Sequence, residues 1–422
     1  MKNRIQNNVY IHSMINKFLY CLVAFCGNTF LTRCLGTALN GEYTYVLNTA
    51  NLISIVIGLG IYQSIPFFNR KNDNADQTLQ DYVNIFFFQL IFYLIIVALI
   101  WNYLPSYTAK FIVLLAVLDN ITQQLNMLML IKDVYKRNNI FLIGAFLSLL
   151  LYGGSYFLNI RQLEVALILT LIIKIYYVIV YLLAIHKPLR PRYLSIIKIK
   201  EYIAFGYLPM FTFLLITMNY KVDVLMLKYS KNVSGTDLSY YSLGVLIAET
   251  VWIISDVFKD VIFARTSSAN HYEEVSAAIR ISNILMLVVI LGMILLGRPF
   301  IWIFYGKEFI KSYGIVVLLM CGIPLMSWFK ILHPLFNALG KRWFSFFALL
   351  AAVVANVSAN SILIPKLGIY GAGCASILSY FICGISFIYE YSKESGEKVY
   401  SLILPGKKDF YKIFMSREKE QE

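Results

Sequence analysis

The chain has 422 residues, 59% of them hydrophobic and only 14% charged, with a net charge of +14 and a mean hydropathy of +0.67. Soluble globular chains carry about 45–50% apolar and about 25% charged residues, so this composition excludes a soluble domain and describes an all-α integral membrane protein with little outside the bilayer. The six cysteines have no CxxC spacing and mostly lie in apolar runs, which excludes a disulfide or zinc framework and leaves them as small core residues.

A membrane-crossing helix needs about 20 mostly apolar residues, and twelve stretches meet that requirement. They are 10–32, 43–68, 82–104, 109–131, 138–159, 163–186, 202–227, 238–262, 275–298, 312–336, 342–364 and 369–391. Lys2 and Arg4 precede a first run that is long and lacks an A-x-A cleavage site, so it reads as an uncleaved span rather than a signal peptide. The connections are short; the longest is the basic segment "KPLRPRYLSIIKIKE" between the sixth and seventh spans. It divides the chain into an N-lobe at 1–186, a connector at 187–201, a C-lobe at 202–392 and a tail at 393–422. Element spacing repeats at an offset of 197, Tyr43 matching Tyr240, although residue identity at that offset is poor. Six-plus-six repeats are an established transporter plan, with the site near the bilayer midplane. With the N-terminus inside, 25 of the 37 Lys and Arg fall in inner segments, nine in outer ones and three within spans. That bias puts both termini in the cytoplasm and assigns the basic charge to anionic membrane lipid, with no need for nucleic acid.

Charged residues inside spans are costly and are functional candidates by default. Lys174 in "TLIIKIYYVIV" is about eleven residues, or roughly 16 Å, from either end of its span, too far to snorkel comfortably, so it must face a partner or a hydrated cavity. Lys330 is equally deep, bracketed by Pro324 and Pro334, with His333 on the same face; a helix broken in this way frees backbone groups towards a cavity. In the eighth span, Glu249, Asp256 and Asp260 share one helical face, and Lys259 can neutralise Asp256 locally, whereas Glu249 has no local partner. Asp119 begins a polar strip with Gln123 and Asn126, which reads equally as helix–helix glue or as a water path. In "TMNYKVDVLM", Lys221 and Asp223 point about 200° apart on a helix and cannot simply pair with each other. Lys221 can snorkel outward, while the shorter Asp223 needs a structural partner. Arg33, at the outer end of the first span, is a rim cation or a substrate contact.

No P-loop, HExxH, GxSxG or spaced Cys/His cluster is present, and the outer loops are too short for the soluble face that membrane polymerases and glycosyltransferases usually carry. No cofactor or metal is called for.

Three segments carry a family resemblance: "TRCLGTALNGEYTYVLNTANLISIVIGLGIYQSIPFF", "DVLMLKYS" with "LSYYSLGVLIAETVW", and "YGKEFIKSYGIVVLLM" through "NALGKRW" to "NSILIPKLGIYGAGCASILSY". In order and extent they resemble the Wzx-type flippases of O-antigen and polysaccharide repeat units, within the multidrug/oligosaccharidyl-lipid/polysaccharide exporter superfamily. The chain departs from their pattern at "SGTDLSYY", where an acidic-Ile-Gly connection is common. The resemblance implies a MATE-like, V-shaped bundle of two six-helix lobes in a bacterial inner membrane. The implied cargo is undecaprenyl-diphosphate-linked oligosaccharide, moved from the inner to the outer leaflet, with a polysaccharide polymerase and a chain-length regulator as partners. On that reading Lys174, Lys330, Arg33 and Lys221 meet the diphosphate or sugars, and Glu249, Asp256 and Asp119 carry a coupling proton or cation. Lipid II flippases generally have fourteen spans, which sets them aside against twelve. Many multidrug antiporters depend on a first-span aspartate, and residues 9–32 hold no carboxylate. A small-molecule antiporter is the second reading and a membrane polymerase the third.

Overall fold

The computed structural model describes residues 2–71, 75–186, 196–265 and 272–403, and every extended element among them is helical. The expected connector therefore falls largely, at 187–195, outside the described residues, as does the tail from 404 onward. The chain divides into two compact units, Met1–Leu214 and Leu215–Glu422. The boundary lies inside one helix, α7 (Ile196–Lys228), so each unit owns part of it.

The first unit holds α1 (Lys2–Ile57), α2 (Ile61–Lys71), α3 (Ala75–Ile100), α4 (Tyr107–Lys132), α5 (Val134–Phe157), α6 (Leu163–Ile185) and the start of α7. Among the described residues ten helices are long and apolar enough to cross a membrane, and the pair Lys307–Met320 and Ile323–Ala338, bent by 55°, makes an eleventh. One of the ten, Ile15–Ile57, has 43 residues, about 64 Å at 1.5 Å per residue and twice the bilayer core. It folds back at Gly36, whose φ of 62° and ψ of −173° are open essentially to glycine alone. The contacts record the reversal. Asn16 bonds Asn139, Phe30 meets Tyr156 and Cys34 meets Ser155, so the first half climbs alongside α5. Tyr43 then returns to Tyr152, and Ser54 lies at Asn120 of α4. Read as two passes, α1 raises the number to twelve. The expected loop between the first two spans is this one glycine, and the expected span 43–68 is interrupted at Gly58–Gly60 before α2.

Caps explain the sharp helix starts. Ser106 accepts from the Ala109 amide at α4, and Asp133 from the Lys136 amide at α5. The start of α7 is fixed to α2 and α3. Asp81, 4% exposed, accepts from Lys198 at 2.7 Å and from Tyr202 at 3.2 Å. Tyr202 stacks on Tyr82 at 4.7 Å, and Phe205 on Phe67 at 3.9 Å. Between these stacks Gly60 (φ 76°) meets Gly206 backbone to backbone, so closely that a Cβ on Gly206 would lie 2.0 Å from the Gly60 carbonyl oxygen.

The second unit comprises the rest of α7, α8 (Gly235–Thr250), α9 (Ile253–Arg265), α10 (Tyr272–Tyr305), α11 (Tyr313–Met320), α12 (Ile323–Ala338), α13 (Arg342–Leu367) and α14 (Ile369–Ser395). The "SGTD" departure is a capping box at α8, in which Ser234 and Asp237 exchange side chain and backbone bonds. The expected spans 238–262 and 312–336 are each broken, at Val251–Trp252 and at Cys321–Gly322, the latter just before Pro324. Aromatic packing of Phe329, Phe336 and Phe344 around Phe387 forms part of the core.

Candidate functional site

In the first unit, α6 presents Thr170 and Lys174 one turn apart. The Lys174 ammonium pairs with Asp119 of α4 at 2.5 Å, the two side chains being 30% and 11% exposed. Beside the pair, the hydroxyls of Tyr43, Tyr152 and Thr170 bond one another at 2.9–3.5 Å, and Tyr20 is within electrostatic reach of Lys174. Further along α4, Asn126 accepts from Arg137 at 2.6 Å and from Tyr181. The strip that begins at Asp119 therefore makes contacts from α4 to both α5 and α6. Arg33 is half-buried at the fold-back, next to Cys34, which bonds the Ile160 carbonyl.

In the second unit the two broken helices meet at their breaks. Trp252 donates its indole N–H to the carbonyl of Ile323 at 3.3 Å, which satisfies one of the backbone groups that a helix end leaves open. Lys330 lies over the Trp252 ring at 4.8 Å, with its ammonium 3.6 Å from Asp256. Asp256 also takes the local Lys259 at 2.9 Å, as the i+3 spacing suggests. Glu249 is one turn before Trp252. Its Oε1 is buried with no hydrogen-bond partner among the described residues, and Lys221 and Lys330 both act on it electrostatically. Four of the sequence candidates, Lys221, Glu249, Asp256 and Lys330, thus share one cluster; Lys174 and Asp119 form another in the first unit. His333 packs on Phe329 and bonds Asn337. The Asp260 side chain lies outside the described residues.

Asp223 is the residue whose surroundings the sequence concealed. It is 2% exposed and accepts from Tyr241 at 2.8 Å, from Asn360 at 2.5 Å and from Ser376. These three partners are all neutral. Asn360 also donates to Asn356, and Ser376 bonds the Ala372 carbonyl at 3.1 Å. Below them Ser379 bonds Asn219. The signal was present as i, i+4 or i, i+3 polar pairs on three apolar spans: Asn219 with Asp223, Asn356 with Asn360, and Ser376 with Ser379. Asn360 Oδ1 is buried with no hydrogen-bond partner among the described residues. Rotating that amide would turn a further oxygen towards the carboxylate. One negative charge among neutral oxygens suits a proton or a hard monovalent cation. Among the described residues no three His, Cys, Asp or Glu converge as a metal site.

Multiple apolar passes in two compact helical units, with partly covered charge clusters among them, are the features of a polytopic membrane transporter. The family model "Lipid II flippase MurJ" matches residues 137–405, more than half of the chain, and the chain belongs to that family. The fold is similar to that of lipid II flippase MurJ in an inward closed conformation, with a TM-score of 0.68 at 14% identity over 96% of this chain and 90% of that one. It is also similar to an inward-facing multidrug resistance MATE family transporter of the MOP superfamily, with a TM-score of 0.65 at 14% identity over 90% of this chain and 94% of that one. No curated protein matches the sequence. The family match corrects the dismissal of lipid II flippases on span number. The matched region begins in α5 and runs through the second unit, and the total number of passes does not enter into it. The chain is a flippase of lipid-linked precursors, and the narrower Wzx-type assignment goes beyond what the match carries.

Proposed function

We propose that this flippase carries an undecaprenyl-diphosphate-linked oligosaccharide of the O-antigen or polysaccharide repeat-unit kind from the cytoplasmic to the outer leaflet of a bacterial inner membrane, by alternating access between two lobes of six spans. The observation that carries the reading is the pair of deep lysines, Lys174 and Lys330, each ion-paired and each only partly covered. A diphosphate head leaving the aqueous interface loses hydration, and fixed ammonium groups offset that loss while the polyprenyl tail stays in lipid. Lys221, in the second cluster, and Arg33, at the fold-back, are further contacts for phosphate or sugar. The resemblance of three long segments to repeat-unit flippases supports the O-antigen class. A polymerase and a chain-length regulator would then act on the delivered unit.

Glu249 and Asp223 suit the coupling role better than Asp256, which two lysines already neutralise. The MATE-like antiporter reading rests on the shared fold alone. The test is the leaflet distribution of the lipid-linked oligosaccharide in cells depleted of this protein. Retention on the cytoplasmic leaflet with loss of surface polymer is expected. Normal movement to the outer leaflet with polymer unchanged would favour the antiporter, and outer-leaflet accumulation of single units a polymerase.

A further inference from the structure

If Lys174 receives a phosphate, the structure poses a problem, because its ammonium is already neutralised by Asp119 at 2.5 Å. Removing one partner of a buried ion pair leaves an uncompensated charge and is strongly unfavourable. The pair can open only if both charges find new partners. The phosphate supplies one for the lysine. The Asp119 side chain is 11% exposed, and the least costly partner open to its carboxylate is a proton.

We infer that Asp119 occupies the place of a substrate phosphate on Lys174, and that diphosphate binding there is accompanied by uptake of one proton onto Asp119. Release of the diphosphate restores the Asp119–Lys174 pair and returns the proton to water. The inference rests on the flippase reading and adds to it the residue at which proton and cargo are exchanged. An arriving diphosphate is a like charge beside Asp119, and a like charge within a few ångströms favours the protonated carboxyl. The other groups facing the pair do not compete for the proton. Among the described residues they are Tyr20 and Tyr43 from α1 and Tyr152 from α5. All are phenols, and Tyr43 and Tyr152 are engaged with Thr170. On the α3 side, Tyr93 bonds Asn120, the neighbour of Asp119. The corresponding pair in the second unit lacks this property, because Asp256 keeps Lys259 when Lys330 is drawn away.

The experiment is calorimetric binding of inorganic pyrophosphate, without divalent metal, to the full-length protein in nanodiscs, run in buffers of different ionisation enthalpy. Wild-type protein should take up about one proton more per pyrophosphate bound than Asp119→Asn. Asp119→Asn should bind about tenfold or more tightly, since it needs no proton to release Lys174, and Lys174→Met should lose about tenfold or more in affinity. Asp119→Ser serves as the second variant if Asp119→Asn does not fold. Equal proton uptake in wild type and the Asp119 variant would overturn the inference, as would undiminished binding by Lys174→Met or no binding by wild type. Any of these results with a normal leaflet assay would remove the exchange at Asp119 and leave the flippase reading standing.

Discussion

Lys174 and Asp119 form a half-buried pair at 2.5 Å. Lys174→Ala should therefore abolish transport at matched membrane levels while Lys174→Arg retains part of it; equal activity in the two would reduce the lysine to packing. Glu249 makes a different prediction, since its carboxyl has an oxygen without a hydrogen-bond partner among the described residues and lies in the field of two lysines. Glu249→Gln should weaken the response of transport to a proton or cation gradient. Transport that stays normal and equally gradient-dependent would exclude this acid from coupling. Asp223 is held by Tyr241, Asn360 and Ser376, so Asp223→Ala removes an acceptor that three buried donors share. A loss of about 3–5 kcal/mol is expected, read as a lowered unfolding midpoint in detergent, with Asp223→Asn less affected.

At the scale of elements, the breaks matter more than the helices. Gly36 turns one continuous helical run into two antiparallel passes, and Trp252 ties the α8–α9 break to the α11–α12 break. At the crossing of Gly60 and Gly206 the two backbones pack directly on each other. A methyl on Gly206 meets a carbonyl that cannot rotate away. Gly206→Ala should cost about 1–3 kcal/mol or more by overpacking, measured by thermal unfolding, with the stacks of Tyr82 on Tyr202 and Phe67 on Phe205 disturbed. An unchanged midpoint would mean that α2 and α7 separate freely at this point.

At the scale of the whole molecule, the 25:9 distribution of basic residues makes a topological prediction. In a cysteine-free background, Lys231→Cys should react with a membrane-impermeant maleimide in intact cells, and Leu339→Cys only after permeabilisation. The opposite pattern would invert the proposed direction of transport as well as the position of the termini.

Long apolar windows made the helices legible, because a bilayer sets a minimum length and tolerates few charges. The same rule marked Lys174, Lys330 and Glu249, each an exception within an apolar run. Asp119 and Lys174 are 55 positions apart, and Asp223 finds its partners on α8, α13 and α14. Helical spacing says which residues share a face but not which face of another helix it meets, so those pairings could not be read along the chain. Gly36 was equally silent, since a single residue can reverse the chain without a loop. The sequence by itself determined that the chain is a helical membrane protein with ionisable groups in its spans. Only the tertiary structure decided which charge neutralises which, because in a low-dielectric interior that depends on distances of a few ångströms between helices remote in sequence.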